Sequence, residues 1–310
     1  MAHAHHHQVH SHGPHHHGPV SYGPAFALGV TLNLAFVAVE AVCGFLAGSL
    51  ALLADAGHNL ADVFSLLLAW VALWLSQRPP TRRRTYGFRR SSVLAALANA
   101  VLLLIAVGAI ALEAVQRFEH PKPLMTGTVI WVAAAGVVVN AGTAALFMSG
   151  RKGDMNIRGA FLHMAADAGV SLGVVIAALA IQITGWLWLD PAMSLAIALV
   201  ITFGTWNLLS ESINLALDAV PAGIDPVEVE AFLAGQPGVT EVHDLHIWAM
   251  STTETALTVH LMRPGHAVDD LFIAQLAHDL QDRFDIAHPT VQIESGESEK
   301  ICRLAGADVV

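Results

Sequence analysis

Six apolar stretches, at about 25–47, 50–76, 91–116, 125–148, 157–184 and 188–214, fill the chain up to residue 217. Each is near the ~20 residues that a helix needs to cross the hydrocarbon core of a bilayer. Lipid offers the backbone no hydrogen-bond partner, so stretches of this length in lipid have to be helices. Composition agrees: 55% hydrophobic and 13% charged residues, with a mean hydropathy of +0.56, lie outside the ordinary soluble range. From residue 218 onward charged residues are frequent and apolar runs short. The expected organisation is a disordered, His-rich N-terminal tail (1–24), a six-helix transmembrane domain (25–217), a small soluble domain (218–296) and a C-terminal tail (297–310).

The connections set the orientation. Gly48 and Ser49 alone join the first two stretches, which makes them a hairpin. The loop after the second stretch holds Arg78, Arg82, Arg83, Arg84, Arg89 and Arg90, and the loop after the fourth holds Arg151, Lys152 and Arg158. The loops after the first and fifth have no Lys or Arg, and the loop after the third balances Arg117 and Lys122 with Glu119. Positive loops stay in the cytoplasm. With six spans, both termini and the soluble domain are cytoplasmic. The chain is expected to be an integral, multi-pass protein in contact with membrane lipid, in a bacterial inner membrane.

The soluble part reads helix, strand, strand, helix, strand. Asp225-Pro226 opens a helix, with proline in its first turn. Val239–Met250 and Ala256–Met262 are rich in apolar and β-branched residues, with Thr252 and Thr253 as a turn between them. Val268–Phe284 has helical periodicity, and Thr290–Ile293 reads as a last strand. The order αββαβ suits an α+β sandwich, and a domain this small gains stability by dimerising.

Within the apolar stretches, His58 and Asp62 stand four residues apart, and His163 and Asp167 repeat the spacing. Residues i and i+4 share one helix face. Imidazole nitrogen and carboxylate oxygen suit zinc and its neighbours, and two pairs supply the four ligands of a tetrahedral site. Ser, Asn or Gln would join helices at lower cost than ionisable groups, so a purely structural role is the weaker reading. Two carboxylates, two neutral imidazoles and one divalent ion sum to zero charge. Protons can take the ion's place, and that competition is the basis of metal–proton exchange.

Other polar residues in these stretches carry less information. Asp55, three residues before His58, is placed beside the ligands or on their access path. Asn59 is less well aligned, and Glu40 is polar without an assigned role. Asn33, Asn99 and Asn140 read as interhelical hydrogen bonders, and Glu113 and Asp190 as helix-end groups reaching water. In the soluble domain His243, His246, His260, His288 and Glu294 form a second candidate metal set, with surface histidines as the alternative. In a strand His243 and His246 face opposite ways. His266 and His278 read as solvated. Cys43 and Cys302 are too far apart in context for a disulfide framework. Residues 1–20 hold nine of the eighteen histidines. They read either as a native tract that gathers metal or as an expression tag, and their irregular spacing favours the former.

These residues carry a resemblance. SLALLADAGHNLAD (49–62), RRTYGFRR leading into VLAALAN (83–99), HMAADAGVSLGVV (163–175), LDPAMSL (189–195) and VHDLHIW (242–248) resemble the cation diffusion facilitators, in particular their zinc-transporting branch. The resemblance covers residues 25–295. It implies a Y-shaped homodimer with six spans per protomer and a ferredoxin-like cytoplasmic domain, exporting cytoplasmic Zn²⁺ in exchange for H⁺ by alternating access. It maps a transport site onto His58, Asp62, His163 and Asp167, and cytoplasmic zinc ligands onto His243, His260, His288 and Glu294, with His246 adjacent. Zn²⁺ is then both the transported ion and a structural or regulatory ion of the cytoplasmic domain. Residues 77–90 hold no His, Cys or acidic residue, so the zinc site some members carry in that loop is not expected. Ser92 stands where many members have glutamate.

The sequence also excludes classes. No nucleophile–base set is visible, so the chain does not read as an enzyme. No GxxxxGK[ST] motif marks a nucleotide-driven pump. The basic residues lie in membrane loops without interleaved aromatics, which argues against nucleic acid. The reading is a secondary-active Zn²⁺/H⁺ antiporter. Its alternatives are efflux of a broader set including Co²⁺, Cd²⁺ and Ni²⁺, and a membrane-anchored metal sensor that does not transport.

Overall fold

The computed structural model describes residues 23–148, 155–265 and 269–296. The His-rich tail, Arg151, Lys152, His266 and Cys302 lie outside the described residues, as does the side chain of Asn33. Six helices come first: α1 (Gly23–Ala47), α2 (Leu50–Ser76), α3 (Ser91–Glu119), α4 (Thr126–Phe147), α5 (Met155–Thr184) and α6 (Leu189–Ala216). Helices α2 to α6 are each long and apolar enough to cross a membrane, and α1 adds the shorter apolar segment Leu34–Ala47. Their outer surface is greasy. Phe45, Trp131, Ile183 and Phe203 are each more than 70% exposed, which suits a surface facing lipid.

Small side chains let the helices approach closely. Ala47, Ala51, Ala54, Ala133, Ala178 and Ala198 are buried between them, with Leu52, Val129, Val174 and Ile197 filling the gaps. Gly173 marks the tightest approach: a Cβ there would stand 2.6 Å from Met193 Cε, so α5 and α6 pack through the missing side chain.

The C-terminal domain has the expected αββαβ order: α7 (Pro226–Ala234), β1 (Glu241–Ala249), β2 (Thr255–Met262), α8 (Asp270–Phe284) and β3 (His288–Glu294). Both helices are capped by aspartate. Asp225 accepts from the Val227 N–H and Asp269 from the Leu271 N–H, each at 2.9 Å. The sheet order is β1-β2-β3, antiparallel between the first two and parallel between the last two. Val229, Leu233, Leu257, Leu261, Leu276 and Leu280 form its core. β3 is longer than Thr290–Ile293. Its parallel pairing with β2 runs from Ala256↔His288 to Met262↔Glu294, so His288 and Glu294 are its first and last residues.

The basic loop between α2 and α3 meets this domain. Arg89 Nη1 lies 2.5 Å from Glu254 Oε2, and Arg90 pairs with Asp218. Ser92 Oγ accepts the Thr252 N–H at 3.0 Å. The ring of Tyr86 meets that of His288 edge-on at 5.8 Å. Loop and domain therefore share one side of the membrane.

Candidate metal centre

Helix α2 carries His58 and Asp62 on one face, and α5 carries His163 and Asp167. One ligand atom from each of the four lies within 4.8 Å of all the others. The closest approaches are crossed: His58 Nε2 to Asp167 Oδ1 is 3.3 Å, and His163 Nε2 to Asp62 Oδ2 is 3.1 Å. Each histidine faces the aspartate of the other helix, which is what two antiparallel helices produce from one repeated motif. The two rings are edge-to-face with centroids 5.9 Å apart. His58 Nδ1 and Asp167 Oδ2 are buried with no hydrogen-bond partner. Two imidazoles and two carboxylates converging at this spacing fit a tetrahedral divalent ion.

The quartet is not uniformly buried. Asp167 is 3% exposed at its side chain and His58 20%, whereas Asp62 is 33% and His163 43% exposed. The site is closed behind Asp167 and open beside His163.

Next to it lies a polar cluster that spacing alone did not organise. Asp55 Oδ2 accepts from Ser171 Oγ at 2.7 Å, and Glu40 Oε2 accepts from Asn59 Nδ2 at 3.3 Å. Asn59, poorly aligned with the ligands, thus turns to α1. Asn140 is buried, but its Nδ2 has no partner, so the interhelical bond expected from it is not made there. Glu113 does sit at a half-exposed helix end, 3.1 Å from both Arg117 and Lys122. Asp190 does not reach water: it is 4% exposed and closes the N-terminus of α2.

In the C-terminal domain His243, His260 and Glu294 come together, with one ligand atom of each within 4.8 Å of the others. His260 Nδ1 lies 3.2 Å and His243 Nε2 3.6 Å from the Glu294 carboxylate. His243 and His260 are cross-strand partners, which brings their rings to 5.3 Å. His246 stands apart, 2.9 Å from Asp244 Oδ1. His288, at the far end of β3, packs on Tyr86 and not in this group. Asp244 is the residue that sequence reasoning missed. The register slips between His243 and His246, and Asp244 takes a φ of 52° in that bulge. Its carboxylate then reaches both His246 and, at 3.5 Å, His260. An acidic residue between two histidines in VHDLH was the available signal.

Two domain families match the chain: residues 26–215 match the cation efflux transmembrane domain, and residues 221–296 the cytoplasmic domain of cation efflux proteins. The chain belongs to the cation efflux family. It is 40% identical over 272 residues to the zinc transporter ZitB of Escherichia coli (strain K12), covering 87% of this chain and 86% of that one. It is 35% identical over 274 residues to the metal cation efflux system protein CzcD of Cupriavidus metallidurans, covering 88% and 87%. It is 34% identical over 265 residues to a cadmium, cobalt and zinc/H(+)-K(+) antiporter of Bacillus subtilis (strain 168), covering 84% and 85%.

Proposed function

We propose that this chain is a homodimeric, secondary-active antiporter that moves Zn²⁺ out of the cytoplasm in exchange for H⁺. The observation that carries the reading is the convergence of His58, Asp62, His163 and Asp167 from two apolar helices. Two imidazoles and two carboxylates are matched to a divalent ion in charge as well as in number. An ion leaving such a site exposes two carboxylates to a low dielectric, and protons are the available replacement. The names of the ZitB and Bacillus relatives, a zinc transporter and a proton-coupled antiporter for cadmium, cobalt and zinc, support zinc and antiport. The latter name makes Cd²⁺ and Co²⁺ the second reading.

Basic loop and C-terminal domain on one side support a cytoplasmic location for that domain and for both termini. His243, His260 and Glu294, with Asp244 beside them, are the ligand set for a structural or regulatory zinc there. His246 and His288 are secondary candidates. The histidine tail raises the local metal concentration on the side from which the ion is taken.

Proteoliposomes made acidic inside test the transport reading. They should accumulate external Zn²⁺, and a protonophore that dissipates the gradient should stop the uptake. Zinc uptake indifferent to the gradient would rule out antiport. Running Cd²⁺ and Co²⁺ in the same vesicles sets the ion range.

A further inference from the structure

The stretch from Arg78 to Arg90 holds six arginines and no acidic residue. They divide into two sets. Arg89 and Arg90 are engaged by Glu254 and Asp218 of the C-terminal part of the chain. Arg78, Arg82, Arg83 and Arg84 are exposed and, among the described residues, meet no carboxylate. Arg78 lies over the ring of Trp74, 4.1 Å from its centroid, and Arg84 over that of Phe88 at 4.5 Å. A guanidinium stacked on a ring keeps its N–H edge turned outward, where it can donate to an oxyanion.

The loop that presents these four is closed on itself. The Thr81 N–H donates to the Arg84 carbonyl at 2.9 Å. The Arg84 N–H returns to the Thr81 carbonyl and to Thr81 Oγ1, each at 3.1 Å. Pro79 and Pro80 stiffen the entry by fixing their own φ. At the exit Gly87, with a φ of 67°, folds the chain back so closely that a Cβ there would stand 3.2 Å from the Arg78 carbonyl. A run of like charges left to itself spreads apart. Here the backbone holds the charges together, and a bound anion would relieve their repulsion.

Depth identifies the anion. The loop leaves α2 just past Trp70 and Trp74, which are 66% and 49% exposed on the outside of the helix. Tryptophans at the end of a span sit at the level of the lipid headgroups. Arg78, stacked on Trp74, is at that level too, and the rest of the closed loop is beside it. We propose that Arg78 and Arg82–Arg84 form a binding site for the phosphate of an anionic phospholipid, in the leaflet on the side of the C-terminal domain. Orienting a span takes positive charge alone and asks nothing of the loop's shape. The closed turn and the ring-stacked guanidiniums go beyond that need. The far end of the same loop seats the C-terminal domain: Arg89 pairs with Glu254, and Ser92 Oγ accepts the Thr252 N–H. A headgroup held at Arg82–Arg84 therefore steadies the chain that carries this seat. The site is independent of which ion the helices move.

Fluorescence anisotropy of acyl-labelled phosphatidylglycerol, titrated with the full-length protein in a neutral detergent, tests this. Unlabelled phosphatidylglycerol should compete roughly 10-fold or more better than phosphatidylcholine with the same chains. Arg82→Gln combined with Arg83→Gln should weaken phosphatidylglycerol by roughly 10-fold or more and leave phosphatidylcholine where it was. Arg151→Gln combined with Lys152→Gln removes as much charge from the other basic loop and should change neither. Helical circular dichroism checks that both proteins are folded. Inorganic phosphate at millimolar concentration should not displace the lipid. Equal competition by the two lipids on the unaltered protein overturns the proposal without recourse to any variant. So does an equal loss in both double variants, which would make the preference one of net charge, or an Arg82/Arg83 variant that binds as before. Displacement by free phosphate would make the loop a phosphate site and overturn the lipid assignment.

Discussion

Asp190 Oδ1 accepts a hydrogen bond from Ser49 Oγ at 2.5 Å, across 141 positions of sequence. The same carboxylate accepts from the backbone N–H groups of Leu50 at 2.8 Å and Ala51 at 3.3 Å, so the start of α6 closes the start of α2. The negative charge also meets the positive end of the helix dipole. Arg117 Nη1 lies 3.9 Å away and bonds the carbonyl of Gly48. Asp190→Ala removes three bonds to a charged acceptor and leaves N–H groups unpaired. It should cost roughly 2 kcal/mol or more, read as a lower unfolding temperature in detergent. Asp190→Asn keeps an acceptor oxygen and should fall between. An Ala variant as stable as the unaltered protein would show that the cap is idle.

Alanine at any one of His58, Asp62, His163 or Asp167 should reduce zinc flux by about 100-fold or more, beyond the ~10–100-fold that loss of an outer partner costs a metal site. The four atoms have no spare among them. Folding is checked separately by elution volume and helical circular dichroism, which should not change. Two such variants with unaltered flux in vesicles would displace the transport site from this quartet.

Changing His58 to Asp tests what sets ion choice. It replaces a neutral nitrogen with a third carboxylate, giving the filled site a net negative charge. Zinc preference should fall relative to both Cd²⁺ and Mn²⁺: Zn²⁺ loses one of the imidazoles that suit it, and Mn²⁺, a harder ion, gains from the added oxygen ligand. Flux of the three metals in the same vesicles measures the ratio. An active variant with the original preference would place selectivity elsewhere.

Arg90 and Asp218 join the loop before α3 to the segment after α6, beside the Arg89–Glu254 pair. Both Arg90 and Asp218 are about half exposed, at 47% and 55% of their side chains. Their value for stability is therefore small, on the order of 0.2–1 kcal/mol. Their position makes them a hinge constraint. Arg90→Asp should speed hydrogen exchange in the segment after α6 that carries Asp218, while leaving the unfolding temperature nearly unchanged. Adding Asp218→Arg should restore protection. Exchange unaffected by the first change would show that the pair does not hold that segment.

What was legible in the sequence was local. An i,i+4 repeat on each of two helices needs no knowledge of the rest of the fold, so His58, Asp62, His163 and Asp167 could be read off directly. The αββαβ order came from turn residues and periodicity within short windows. What escaped depended on contacts between distant segments. Asp190 looked like a helix-end group because its partners at Ser49, Leu50 and Ala51 are 139 or more positions away. Asp244 became visible only with the bulge that re-aims it, and a slip of register cannot be counted from alternation. Glu40 read as a polar residue without a role until α1 was laid against α2, where Asn59 meets it.

Each half of the quartet belongs to one rigid rod. Helix geometry holds His58 to Asp62 and His163 to Asp167, whatever the other rod does. The short distances are those between the rods. A sliding of α2 along α5 by a few ångströms would leave both halves intact and part them, turning a four-fold grip into a two-fold one. An ion held by two protein atoms refills its shell with water and exchanges quickly. In the proposed transporter, splitting the four residues evenly between two helices makes letting go a matter of helix position, with no side chain needing to change its rotamer.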